Sequence, residues 1–346
     1  MQILVIDYIS PEGHKNFDYV HVNALSELGY GLHLVGRRNQ FASIANVGDF
    51  QVSSFPEWTF KTLPLKQLSV RVMEMVRLKW VFSHVDVNEY DAIIMLSYDV
   101  LSLFPFRFKK KVLLINHNNV SQLADNKIKL YLTRRLRNSF IHIALNVLME
   151  KKLGELLHGK KVVYVPHGLV LNGSTIKRPS FLGDSDKFVF CPVNRNHDAV
   201  LLQRLLDSKG VTDYLECQGI TFYVKKTVDY TTESHSIRRI MSFLSTEEYY
   251  YMIEKSVAVI LPYGQTFKYR CSGIFFECIA RDANIIATKI PDLEIYKEHA
   301  RVQYFGDENS FIQCLKIIDK PNKAIDKGYF NPKKYWLEAF RQVKIL

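Results

Sequence analysis

The residues with the clearest chemical potential lie in the run 261–296, LPYGQTFKYRCSGIFFECIARDANIIATKIPDLEIY. Its apolar spacing reads strand, loop, helix, strand, loop. Ser272 is a preferred N-cap type and Gly273 admits close approach. A helix over 273–281 therefore presents unpaired N–H groups and the positive end of its dipole to an anion, and a diphosphate suits that position. Arg270, just ahead of the cap, adds a charge-assisted bidentate contact. Glu277, about one turn and a half into the helix, offers a carboxylate to the vicinal hydroxyls of a ribose.

Such a constellation has to be held by a frame, and the frame is legible as a beat of short β-branched runs. They recur at 3–6, 31–35, 92–96, 112–115 and 162–165, with segments of helical length between them, among them 21–28 and 67–81. After a polar stretch at 173–187 the beat restarts. Strands are expected at 188–191, 221–224, 257–261 and 285–288, and helices at 199–206, 246–255 and 310–318. Strand–helix alternation of this kind builds parallel sheets covered by helices. The expected organisation is an N-terminal domain over 1–172, a linker over 173–187 and a C-terminal domain over 188–325. A last helix over 326–346 is placed so that it can return to the first domain. In such sheets ligands sit beyond the carboxyl ends of the strands.

The pattern SGIFFECIARDANIIATKIPDLEIY resembles the donor-site signature of retaining GT-B glycosyltransferases that build bacterial surface polysaccharides, the group 1 or family 4-like type. FLSTEEYYYMIEKSVAVILPY, ahead of it, is similar to that family's approach to the donor loop, and VYVPHGL at 163–169 resembles its Val-Pro-Asn-Gly type motif. The resemblance implies an α/β fold of GT-B type, two Rossmann-like parallel-sheet domains facing a cleft. It also implies transfer of a sugar from a nucleoside diphosphate donor with retention. The likeness is loose over the chain and specific mainly over 243–296.

Residue by residue, the resemblance gives Glu277 the ribose. The family carries a second glutamate eight residues earlier in its motif, with seven residues between, and here that position is Tyr269, so the usual carboxylate contact to the transferred sugar is missing. Either Tyr269 or a neighbouring backbone group substitutes, or the donor sugar and stereochemical outcome differ. Asn194 and Arg195, in the loop after the first strand of the second domain, match the family's basic diphosphate-neutralising loop, and Lys225 matches a second cation after the next strand, with Lys226 an equal alternative. His117, directly after a strand in LLINHNNVSQL, matches a histidine that contacts the donor sugar or acceptor. Gly13 and His14 stand where the family has a glycine-rich loop beneath the donor phosphates.

Composition narrows the setting. With 346 residues, 47% of them hydrophobic and 23% charged, the chain has the length for two cores. The five cysteines, Cys191, Cys217, Cys271, Cys278 and Cys314, are odd in number and never spaced CxxC, which points to reduced thiols. No secretion signal opens the chain, and no apolar stretch approaches the ~20 residues of a membrane span. A cytoplasmic protein is expected. No cofactor or metal is expected: the lone Asp-x-Asp, Asp184 and Asp186, falls in the linker, and no His/Cys/Asp set has ligand spacing.

The formal net charge is +11, and residues 107–137 hold nine bases (Arg107, Lys109, Lys110, Lys111, Lys127, Lys129, Arg134, Arg135, Arg137) against one acid, Asp125. Their interleaving with Phe106, Phe108, Leu130, Tyr131, Leu132 and Leu136, and a similar basic and apolar run at 58–80, predict docking on the anionic inner face of the cell membrane. No nucleic-acid-binding motif accompanies the charge. The expected partners are thus a nucleotide sugar, a glycan or lipid-linked acceptor and an anionic membrane. The rival expectations are a nucleotide-sugar epimerase of the same architecture and a non-catalytic GT-B-like binding subunit, the latter motivated by Tyr269.

Overall fold

The computed structural model describes residues 1–10, 14–42, 44, 50–61, 66–136, 138–171, 175–192, 198–225, 234–318 and 325–346. The chain divides into two compact units, one of residues 1–170, 269–271 and 330–346, the other of 171–268 and 272–329.

The first unit runs β1 (Gln2–Asp7), α1 (Lys15–Ser26), β2 (Gly31–Gly36), β3 (Gln51–Ser54), α2 (Lys66–His84), β4 (Ala92–Ser97), α3 (Val100–Leu103), β5 (Lys111–Asn116), α4 (Asn119–Asp125), α5 (Lys127–Arg135), β6 (Phe140–Ala144), α6 (Val147–Leu156) and β7 (Val162–Tyr164). Its seven strands are all parallel, in the order β3-β2-β1-β4-β5-β6-β7. Alternation along β1 sends Ile3 and Val5 into the core on one face and Leu4 and Ile6 into the core on the other. A sheet covered on both faces explains why its central strands read as unbroken apolar runs.

The second unit runs β8 (Lys187–Cys191), α7 (Ala199–Asp207), α8 (Lys209–Gln218), β9 (Ile220–Lys225), β10 (Ile237–Ile240), α9 (Thr246–Lys255), β11 (Ala258–Leu261), α10 (Gly273–Ala280), β12 (Ile285–Thr288), α11 (Pro291–Glu294), β13 (Val302–Phe305) and α12 (Glu308–Ile317). Its six strands are again parallel, ordered β10-β9-β8-β11-β12-β13. Strand order reverses between β1 and β4 in one sheet and between β8 and β11 in the other, the switch points at which such sheets hold ligands.

Helix α13 (Pro332–Gln342) belongs to the first unit and completes its core with Trp336 and Phe340, both fully buried. The Trp336 indole N–H donates to His21 Nδ1 at 3.0 Å. At the far end of that helix Lys111 donates to the Lys344 carbonyl at 2.6 Å.

The basic run departs from the expected membrane face. Phe108 and Leu136 are buried in the core, and Phe106, Leu130 and Leu132 are half-buried, because α5 and the strand beside it turn their apolar side inward. Ile128 and Tyr131, 68% and 56% exposed, are the large apolar side chains this run leaves outside. Lys129 is held by Asp99 at 2.7 Å, and the Arg134 Nε–H donates to the Leu156 carbonyl at 2.8 Å. Arg137 lies outside the described residues. Among the described residues no helix is long and apolar enough to cross a membrane.

Candidate functional site

The carboxyl end of the second sheet carries most of the chemistry read from the sequence. Ser272 caps α10, its Oγ accepting from Phe275 N at 3.1 Å, and the same hydroxyl is hydrogen-bonded to the phenol of Tyr263, a buried residue just past β11. Tyr263 is anchored in turn, because Thr288 Oγ1 at the end of β12 donates to its carbonyl at 2.7 Å. The cap is thus fixed from two neighbouring strands. A Cβ built on Gly273 meets nothing within 4 Å, so internal packing does not require a glycine there and the first turn of α10 is approachable.

Four residues on, and hence on the same side of the helix, stands Glu277. Tyr249 on α9 donates its phenol proton to Glu277 Oε2 at 3.0 Å. Burial, then the Glu277 charge, pushes that phenol well above its ordinary range, so Tyr249 remains a donor. A carboxylate offers roughly four acceptor positions, so orientation by Tyr249 is compatible with holding a diol.

Lys225 ends β9, exposed, one residue beyond the pairing of Val224 with Cys191 at the end of β8. Its charge reaches the buried Cys191 thiol, whose pKa burial raises and Lys225 draws back down. Asn194, Arg195 and Lys226 lie outside the described residues, as does Gly13.

Tyr269 and Arg270 belong to the first unit. Tyr269 has φ +53°, a left-handed conformation that costs a non-glycine residue about 1–2 kcal/mol, and Lys152 Nζ lies 5.7 Å from its ring centre. The Arg270 Nε–H donates to Ser121 Oγ at 3.1 Å.

His14 and His117 come together at the carboxyl end of the first sheet, and two further histidines join them. The His14 and His117 rings lie 4.3 Å apart, and Phe17 on α1 touches His117 (4.3 Å), His21 (4.2 Å) and His167 (5.0 Å). Burial lowers all four imidazoles: His14 and His167 to about 4, His21 to about 3, and His117 well below its usual value, its histidine neighbours adding to the shift. They are neutral at physiological pH. His117 Nε2 is 3.0 Å from the Leu96 carbonyl, which only accepts, so the proton sits on Nε2 and Nδ1 keeps its lone pair. Beside them at the end of β1 the buried Asp7 accepts from Ser10 N at 2.9 Å and Gln40 Nε2 at 3.2 Å. The buried Asp18 carboxyl is raised by burial and by Asp7.

Sequence reasoning picked out His14 and His117 singly. It missed His21 and His167 as their partners, Tyr249 and Tyr263 as the residues that fix Glu277 and Ser272, and a cavity near 350 Å³ bounded by the ends of β11, β12 and β13. The Asp184 and Asp186 pair is engaged locally, Asp184 with Arg178 and Asp186 accepting from Gly183 N at 2.7 Å. Among the described residues no three His, Cys, Asp or Glu side chains are grouped to hold a metal ion.

No protein-family model matches the chain, and no curated protein matches it. Solved structures do. Anabaena HepE in complex with UDP and glucose superposes with a TM-score of 0.59 over 100% of this chain and 97% of its own, at 14% identity. OtsA in its apo form gives 0.62 over 99% and 98%, at 10% identity. A UDP-N-acetylglucosamine 2-epimerase gives 0.55 over 97% and 90%, at 11% identity. At these identities the likeness is one of fold, and the fold is GT-B: two parallel-sheet α/β units, of seven and six strands.

Proposed function

We propose that this chain is a glycosyltransferase that moves a sugar from a nucleoside diphosphate donor to a hydroxyl of a cell-envelope glycan or glycolipid, with retention and without a divalent metal. The observation that carries the reading is the face of α10: a cap fixed by Tyr263, an approachable Gly273 and, one turn on, Glu277 oriented by Tyr249. The fold's likeness to a structure holding UDP and glucose supports the nucleotide half of the reading.

In that mechanism the bond between the anomeric carbon and the diphosphate oxygen breaks as the acceptor oxygen bonds to the same face of the sugar. The acceptor proton passes to the departing phosphate oxygen. The protein's task is to stabilise the charge that builds on the diphosphate. The N–H groups of α10 behind Ser272, with Lys225 and Arg195, take that role, and Glu277 holds the ribose. Neutral His117, its Nδ1 lone pair uncommitted to Leu96, accepts a hydrogen bond from a sugar or acceptor hydroxyl. The acceptor is presented at the anionic cytoplasmic leaflet, towards which the exposed bases of the first unit draw the enzyme.

The test is turnover of a panel of UDP- and GDP-sugars with and without lipid-linked acceptor, read by mass spectrometry of nucleotide and glycan. Acceptor-dependent nucleoside diphosphate release is the expected result, unchanged by EDTA. Epimerised nucleotide sugar without acceptor supports instead the reaction of the 2-epimerase neighbour, and tight nucleotide binding without turnover supports a non-catalytic subunit. EDTA-sensitive activity restored by Mn²⁺ overturns the metal-free mechanism.

A further inference from the structure

We propose that the cavity at the carboxyl ends of β11, β12 and β13 is a separate binding site for an anionic monosaccharide, one sugar ring bearing a phosphate or a carboxylate. Its volume of about 350 Å³ lies within the range of small-molecule sites and equals roughly a dozen waters, space for one ring and a charged substituent.

The lining has the mixture a sugar needs. Tyr263 and Phe305, both nearly fully buried, close the cavity from below, and Val200, 62% exposed, gives its rim an apolar side chain. Asp198, Gln265 and Thr288 supply hydrogen-bonding groups for hydroxyls. Two of these are already oriented: Asp198 Oδ1 accepts from Leu201 N at 2.9 Å, and Thr288 spends its proton on the Tyr263 carbonyl, leaving its oxygen to accept.

Charge then selects the anion. Arg204 on α7 and Lys289 after β12 both line the cavity. Lys289 reaches Glu294 only at 3.7 Å on the exposed surface, and among the described residues Arg204 has no hydrogen-bond or ion-pair partner. An uncompensated guanidinium beside a sugar-sized hollow binds phosphate or carboxylate in bidentate fashion. None of the cavity residues is among Ser272, Gly273, Glu277 and Lys225, but Tyr263 joins the two places, its phenol bonded to the Ser272 hydroxyl while it lines the cavity, so UDP is included as a ligand to tell them apart.

Titration calorimetry on the full chain tests it with glucose 1-phosphate, glucuronate, glucose and inorganic phosphate, and with UDP as an independent ligand. At least one of the two anionic sugars should bind tenfold or more tightly than glucose and than inorganic phosphate. Preference for glucose 1-phosphate or for glucuronate identifies the charged group. Arg204→Ala, and separately Val200→Trp, which blocks the mouth from an exposed lining position, should each weaken that binding at least tenfold with the thermal midpoint and UDP affinity unchanged. The proposal is overturned if neither anionic sugar binds, if inorganic phosphate binds as tightly as the sugar phosphate, if both variants bind like wild type, or if UDP displaces the sugar competitively.

Discussion

The two parallel sheets end differently. At the carboxyl end of the first, His14, His21, His117 and His167 close around Phe17, and a Cβ on Gly168, at φ +81°, lies 2.3 Å from Val20. At the end of the second, Gly273 meets nothing within 4 Å and a hollow of about 350 Å³ lies beyond β11–β13. The same architecture thus yields one end closely packed by its own side chains, with His117 half-buried at its surface, and one left more open. Neutral imidazoles and packed backbone give the first end a fixed proton arrangement, whereas the second offers an approachable helix N-terminus and cations, the features on which the proposed donor site rests.

Acid should separate the two ends most strongly. Unfolded histidines take up protons from about pH 6.5 downward, while the folded chain holds His14 and His167 neutral to about 4 and His21 to about 3. Because the unfolded state binds more protons, this contribution is whole above pH 6.5 and drains as pH falls towards 4 and then 3. All three tryptophans, Trp58, Trp80 and Trp336, lie in the first unit, so their fluorescence reports it selectively. Its thermal midpoint should drop by several degrees between pH 7.5 and pH 5; an unchanged midpoint would break the contrast.

Paired glycine substitutions sharpen it. Gly168→Ala combines a left-handed conformation with a clash and should cost about 2–4 kcal/mol in denaturant titration. Gly273→Ala should leave stability within about 0.5 kcal/mol, since exposed helix positions tolerate alanine, yet weaken nucleotide binding. Equal destabilisation by both would show that the second end is packed as tightly as the first.

A smaller loss is expected from Glu277→Ala. Hydrogen bonds to a charged group are worth about 1.5–3 kcal/mol, a tenfold to hundredfold fall in nucleotide affinity by calorimetry. Unchanged affinity in a folded variant removes the ribose role. Weakest of all is the basic surface of the first unit. Replacing Lys109, Lys110 and Arg135 with Ser should reduce sedimentation with anionic liposomes by up to about 1 kcal/mol per charge, and wild-type binding should fall as salt rises. Equal binding of neutral vesicles would make Ile128 and Tyr131 the contact instead.

Central strands were legible because burial on both faces leaves a plain apolar run. The edges β3, β10 and β13 were not: QVSS, IRRI and VQYF alternate or lack apolar residues, as edge strands do. Strand β6 was hidden because FIHIA runs straight into the apolar start of α6. At the site, Ser272 announced itself because a cap is a local signal. The phenols that fix Ser272 and Glu277 arrive from nine and 28 residues away, and the His21–His167 contact spans 146, separations that no local pattern encodes. The burial of Phe108 and Leu136 was hidden for the same reason, since a basic and aromatic run does not say which side of its helix turns inward.

The return of α13 to the first unit has a consequence for synthesis. The first unit's strands leave the ribosome before any of the second unit, but the pocket for Trp336 and Phe340 stays uncovered until the second unit has been made. Loss of a buried aromatic costs about 3–5 kcal/mol, so the nascent first unit lacks a substantial share of its stability throughout that interval. The order of translation therefore favours completion of the second unit first, and the newborn seam beside His21 is where a chaperone would find its substrate.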